Sequence, residues 1–130
     1  MTASYKLKIV TDFAAAHTLR DYPGNCSRMH GHNWKVEVEA IASSLNDVGM
    51  AIDFKEIKRA TRSITEQLDH RYLNEIKPFD NENPTAENIA AFIYRSVSEI
   101  INNDPENRGR VTIAAVTLWE TERACVTYSE

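Results

Sequence analysis

The chain opens on a strict alternation. Tyr5, Leu7, Ile9, Thr11, Phe13, Ala15 and His17 share one face of an extended segment, with Lys6, Lys8, Val10, Asp12 and Ala14 on the other. The first set is mostly apolar, which predicts a half-buried strand. The stretch 18–29 breaks the pattern and carries a turn cluster, Pro23-Gly24-Asn25. Alternation resumes at His30. His30, His32, Trp34, Val36, Val38 and Ala40 fall on one face, and Gly31, Asn33, Lys35, Glu37 and Glu39 on the other. This predicts a second strand, cleaner than the first.

The period then shifts from two to 3.6. Asp53 is suited to cap a helix and Glu56 to reach back to it. Phe54, Ile57, Ile64 and Leu68 fall on one side of that helix, which is predicted to end near Asp69-His70. Asn83-Pro84-Thr85-Ala86-Glu87 starts a second helix, with Thr85 as its cap and Glu87 at the positive end of its dipole. Ile89, Phe92, Ile93, Val97, Ile100 and Ile101 form the apolar stripe, and Asn102-Asn103-Asp104-Pro105 stops it. Val111 to Trp119 is a β-rich run. Glu120 to Arg123 interrupts it, and Ala124 to Tyr128 reads as a last strand. The order strand, strand, helix, helix, strand, strand predicts an α+β fold. Its core is a four-stranded antiparallel sheet with two helices on one face. An open sheet has two edges to protect, and a partner subunit is one way of doing so.

Composition narrows the picture. A chain of 130 residues reads as one domain, 1–130, long enough to fold without staples. Apolar residues at 42% and charged residues at 26% are wrong for disorder. Fifteen basic against nineteen acidic side chains leave a charge of −4, which does not suggest a nucleic-acid or membrane-surface binder. No apolar run approaches the ~20 residues of a membrane span, and the first eight residues lack the apolar core of a secretory signal. Two cysteines, Cys26 and Cys125, make no disulfide scaffold, so a reducing cytoplasm is the simplest compartment.

Three of the four histidines have a shared placement. His17 ends the apolar face of the first strand, while His30 and His32 begin that of the second. Antiparallel pairing across 18–29 brings all three to one end of the sheet. Three neutral imidazoles suit zinc and leave a fourth tetrahedral position open, the pattern of a catalytic site. Gly31 lets the backbone bend close to the metal. Cys26, four residues before His30, has three readings: a thiolate base or nucleophile, a fourth ligand that closes the site, or a small buried filler. Cys125 sits in the terminal strand without a partner motif. In Asp69-His70 a carboxylate can orient an imidazole, or the histidine simply favours a helix C-terminus. Glu120 ends an apolar run, where a carboxylate can fork to the N–H edge of a heterocycle. Glu122 competes for that role.

Taken together, Phe13-Ala-Ala-Ala-His17, Cys26-x-x-x-His30-Gly-His32, Leu68-Asp69-His70, Asn83-Pro-Thr-Ala-Glu87 and Trp119-Glu120-Thr121 resemble the 6-pyruvoyltetrahydropterin synthase family in order and spacing. The resemblance runs from Lys6 to the last strand. The three residues between Cys26 and His30 are similar to the bacterial branch of queuosine biosynthesis. Ser27 beside the thiol argues against a third, aldolase-like branch, which has a glutamate in or beside the thiol position. The resemblance implies the tunnelling fold, a dimer of trimers, and active sites at subunit interfaces. It implies zinc on His17, His30 and His32, Cys26 as general base, and Asp69 with His70 as proton relay. Glu120 would anchor a pterin ring, with Thr85 and Glu87 near the substrate. The implied reaction converts 7,8-dihydroneopterin triphosphate to 6-carboxy-5,6,7,8-tetrahydropterin, acetaldehyde and triphosphate, with no redox cofactor. Two alternatives stay open: elimination of triphosphate without side-chain cleavage, and a non-catalytic zinc- or pterin-binding module.

Overall fold

The computed structural model describes residues 3–24 and 27–130. Its elements run β1 (Tyr5–His17), β2 (His30–Ala42), α1 (Phe54–Leu68), β3 (Arg71–Tyr72), a 3₁₀ turn (Leu73–Glu75), α2 (Ala86–Asn103), β4 (Val111–Thr121) and β5 (Ala124–Tyr128). The α+β class and the order of the six predicted elements stand. The sheet itself differs: it has five strands, in the order β3-β1-β2-β4-β5, and is mixed. The extra strand, β3, pairs parallel to β1 through Ala15↔Arg71 and Ala16↔Tyr72. At two residues it is too short to announce itself as a period. It forms because His70, at φ 58°, turns the chain back against β1, where the His70 N–H donates to the Ala14 carbonyl.

The long pair β1–β2 runs unbroken in register from Tyr5↔Ala42 to His17↔His30. Both helices cover one face, α1 over β1 and α2 over β4 and β5. That face holds the alternate residues of β2: Trp34, Val36, Val38 and Ala40 have no exposed surface. Ile57 and Leu68 of α1 and Ile89, Ile93 and Val97 of α2 close over them, also fully buried. Each such large side chain stabilises the fold by about 1.5–3 kcal/mol.

The caps follow the predicted residues. The Asp53 carboxylate accepts from the Lys55 N–H at 2.8 Å, and the Thr85 hydroxyl accepts from the Asn88 N–H at 3.1 Å. Glu56 does not reach back to Asp53; it accepts from the Asn107 side chain at 2.9 Å. Phe54 is exposed rather than part of the apolar stripe. It lies at the first helical position, at the end of α1. Ile100 is likewise partly exposed. β4 continues through Glu120 to Thr121, so Glu120 lies within a strand rather than in a break. Among the described residues no helix is long and apolar enough to cross a membrane.

Candidate metal and active site

The predicted convergence of histidines is present. His17 stands directly opposite His30 across the β1–β2 ladder, and Ala15 stands opposite His32. One ring nitrogen from each of His17, His30 and His32 lies within 4.8 Å of the others. The rings meet edge to face, with centroids 4.5–5.2 Å apart. Trp34 forms the floor, its ring 5.1 Å from that of His17 and 5.2 Å from that of His32.

Backbone carbonyls fix two of the tautomers. His17 Nδ1 lies 2.8 Å from the Pro84 carbonyl, and His30 Nδ1 lies 2.7 Å from the Arg28 carbonyl. A carbonyl only accepts, so each Nδ1 carries the hydrogen and leaves Nε2 with a free lone pair. The Nε2 atoms of His17 and His32 are buried and have no hydrogen-bond partner. Orphaned polar atoms of this kind are rare, and a metal accounts for a pair of them facing one another. Burial lowers the His17 pKa, an effect the neighbouring His30 and His32 add to, against the opposing Pro84 hydrogen bond and Glu120. Burial likewise lowers that of His32, against Glu120. Burial thus favours the neutral form of His17 and of His32, the form a metal ligand takes.

Glu120 faces this cluster from β4. One carboxylate oxygen lies 4.0 Å from His17 Nε2 and the other 4.0 Å from His32 Nε2. The same residue lines a cavity of about 500 Å³, together with Leu19, Tyr22, Thr85, Glu87 and Cys125. Thr85 and Glu87 are thus brought to the cavity Glu120 occupies. The Thr85 hydroxyl is engaged as the helix cap, while Glu87 is exposed in the first turn. Glu122 lies in the exposed turn after β4 and does not line the cavity. Cys125 is an exposed thiol. Cys26 lies outside the described residues.

Asp69 and His70 do form a pair. The Asp69 carboxylate accepts from the Ala14 N–H at 2.9 Å through one oxygen. The other lies 3.0 Å from His70 Nδ1. These bonds, the Ala14 one foremost, lower the Asp69 pKa. The His70 side chain is 82% exposed. It lines a second cavity of about 490 Å³ with His32, Gly31 and Tyr72, on the β3 side of the sheet. Within one chain, the His70 and Glu120 cavities are therefore separate.

The profile of the 6-pyruvoyl tetrahydropterin synthase family matches residues 6–130. The chain belongs to that family. A 6-carboxy-5,6,7,8-tetrahydropterin synthase of Synechocystis is 36% identical over 92 residues, covering 67% of this chain and 70% of its own. A dihydroneopterin monophosphate aldolase of Pyrococcus furiosus is 31% identical over 108 residues, 83% of this chain and 82% of its own. The solved 6-pyruvoyl tetrahydropterin synthase of Caenorhabditis elegans superposes with a TM-score of 0.84 at 23% identity, covering 99% of this chain and 97% of that one. The mixed sheet under two helices is thus the fold of the 6-pyruvoyl tetrahydropterin synthase family. Within it, the parity of two strands locates the histidines. Nothing in the sequence pattern signals the Pro84 carbonyl that orients His17, because the two are 67 residues apart.

Proposed function

We propose that the protein is a zinc-dependent lyase, a 6-carboxy-5,6,7,8-tetrahydropterin synthase. It converts 7,8-dihydroneopterin triphosphate to 6-carboxy-5,6,7,8-tetrahydropterin, acetaldehyde and triphosphate, in the cytoplasm. The observation that carries this reading is the pair of buried, unpartnered Nε2 atoms of His17 and His32, beside His30 and facing Glu120. The Synechocystis relative supports the choice of product.

His17, His30 and His32 hold the zinc, whose chemistry here is that of a Lewis acid that acidifies the substrate's side-chain hydroxyls. The Cys26 thiolate removes a proton from that side chain. His70 carries the second proton, with its Nδ1–H held by the Asp69 carboxylate 3.0 Å away so that Nε2 is the exchanging atom. Glu120 accepts from the N–H edge of the pterin ring. Thr85 and Glu87 border the same cavity and position the substrate. The working form is a dimer of trimers, with sites shared between subunits. Two open sheet edges and a relay pair lying outside the Glu120 cavity support that assembly.

Mass spectrometry of the product tests the reading, with zinc-loaded protein and 7,8-dihydroneopterin triphosphate. A 6-carboxytetrahydropterin with acetaldehyde is expected. A 6-pyruvoyl product would overturn the choice of branch while keeping the fold and the metal. The Pyrococcus furiosus relative favours a second reading, aldol cleavage of the monophosphate. Turnover of dihydroneopterin monophosphate, and none of the triphosphate, would select it. No turnover of either, with zinc bound, would leave a binding module.

A further inference from the structure

The β1–β2 ladder stops at His17, yet the backbone beyond it remains paired, by side chains. The Thr18 N–H donates to Asn74 Oδ1 at 2.8 Å, and Asn74 Nδ2 donates back to the Thr18 carbonyl at 2.9 Å. Two residues on, the Arg20 N–H donates to Asn83 Oδ1 at 2.9 Å, and Asn83 Nδ2 donates to the Arg20 carbonyl at 3.2 Å. A side-chain amide presents one donor and one acceptor edge in a plane, as a peptide group does. Asn74 and Asn83 thus serve alternate residues as a neighbouring strand would. The Arg20 guanidinium ties the same segment to the Phe79 carbonyl at 2.7 Å and the Glu82 carbonyl at 2.9 Å.

Asn83 is held from its other side too. Its own carbonyl accepts from Asn88 Nδ2 and from the Thr85 N–H, both at 2.8 Å. The next residue is Pro84, whose carbonyl takes the Nδ1 hydrogen of His17. One amide therefore joins the segment leaving β1 to the carbonyl that orients the last residue of β1. It also spaces two walls of the Glu120 cavity, residues 19–22 and 83–87.

We propose that Asn83 is a positioning residue for His17. Its amide, locked on Arg20, sets the Pro84 carbonyl so that His17 is protonated at Nδ1 and presents Nε2 to the metal. This rests on the reading of His17, His30 and His32 as metal ligands. Asn74 is the internal control, since it makes the same two-bond pairing with Thr18 but does not adjoin Pro84.

The test compares Asn83→Ala with Asn74→Ala, both shown folded by circular dichroism below their melting temperatures. Zinc affinity is read by chelator competition, and the His17 tautomer by imidazole nitrogen NMR of the metal-free protein. Asn83→Ala is expected to weaken zinc binding by about 10- to 100-fold, the usual effect of removing a partner behind a metal-bound histidine, and to mix the His17 tautomers. Asn74→Ala is expected to lower the melting temperature with zinc affinity and tautomer unchanged. Equal loss of zinc affinity in both variants, or a native tautomer in Asn83→Ala, would overturn the proposal. If Asn83→Ala fails to fold, Asn83→Asp keeps the acceptor for the Arg20 N–H, loses the donor, and gives the same comparison. Failure of the metal reading is distinct: His30→Ala would then bind zinc as the native chain does, whatever Asn83 does.

Discussion

At the scale of single residues, the three histidines placed to hold a metal, the Glu120 carboxylate facing them and the thiol proposed as base have roles that separate experimentally. His30 contributes a ring nitrogen to the cluster, with its Nδ1 engaged by the Arg28 carbonyl. His30→Ala is expected to lose bound zinc, measured as metal per chain after dialysis. Cys26→Ala is expected to keep zinc and lose turnover, because the thiol is read as base and not ligand. Loss of metal in Cys26→Ala would instead close the site as a structural one. In the proposed role of Glu120 as acceptor from the pterin ring, Glu120→Gln removes charge from that hydrogen bond while keeping shape. It should cost about 1.5–3 kcal/mol of transition-state binding, a roughly 10- to 100-fold fall in kcat/KM. Native kinetics in that variant would remove Glu120 from the substrate contacts.

At the scale of elements, the end of α1 does more than stop a helix. The helix closes at Leu68, Asp69 caps it, and His70 adopts a left-handed backbone that starts β3. Asp69 therefore bonds β1 and His70 at once. Its pKa is lowered in the folded chain from the ordinary 3.8, so its stabilising contribution is fully present above that value. It fades as pH falls through the lower folded value. The melting temperature of the native chain should exceed that of Asp69→Asn most at neutral pH, and the gap should close as acidification passes below the ordinary 3.8 and through the lower folded value. A gap that persists unchanged in acid would show that Asp69 is not ionised in its role. The same junction marks how far the sequence could be read. Strand parity located His17, His30 and His32, because alternation is a local property of the chain. The bonds from Asp69 to Ala14, and from Pro84 to His17, join residues 55 and 67 positions apart. Such pairs are created by packing, which periodicity does not encode. Adjacent Asp and His do not by that adjacency bond one another; the left-handed turn at His70 is what makes these two do so.

At the scale of the whole molecule, one chain presents its chemistry in two places. Glu120, Thr85 and Glu87 line one cavity, while His70 and His32 line another on the β3 side of the sheet. His70 is 82% exposed there, whereas the proton transfer proposed for it calls for a site closed to bulk water. Both sheet edges are free to take a neighbour: β3 spans only two residues, and β5 is paired on one side alone. A neighbouring chain that covers the His70 side would exclude water and bring the relay to a metal cluster other than its own. This makes a clear demand on mixtures. His30→Ala and His70→Ala should each be inactive as pure assemblies, the first for want of metal and the second for want of the relay. When the two are unfolded together and co-assembled, sites built from two chains recombine at random, and about a quarter of them should regain both residues. Activity returning to that level in the mixture, with neither parent active, places His30 and His70 of one site on different chains. A mixture as inactive as its parents confines the site to a single chain, and the relay must then reach its own metal cluster across the β1 edge.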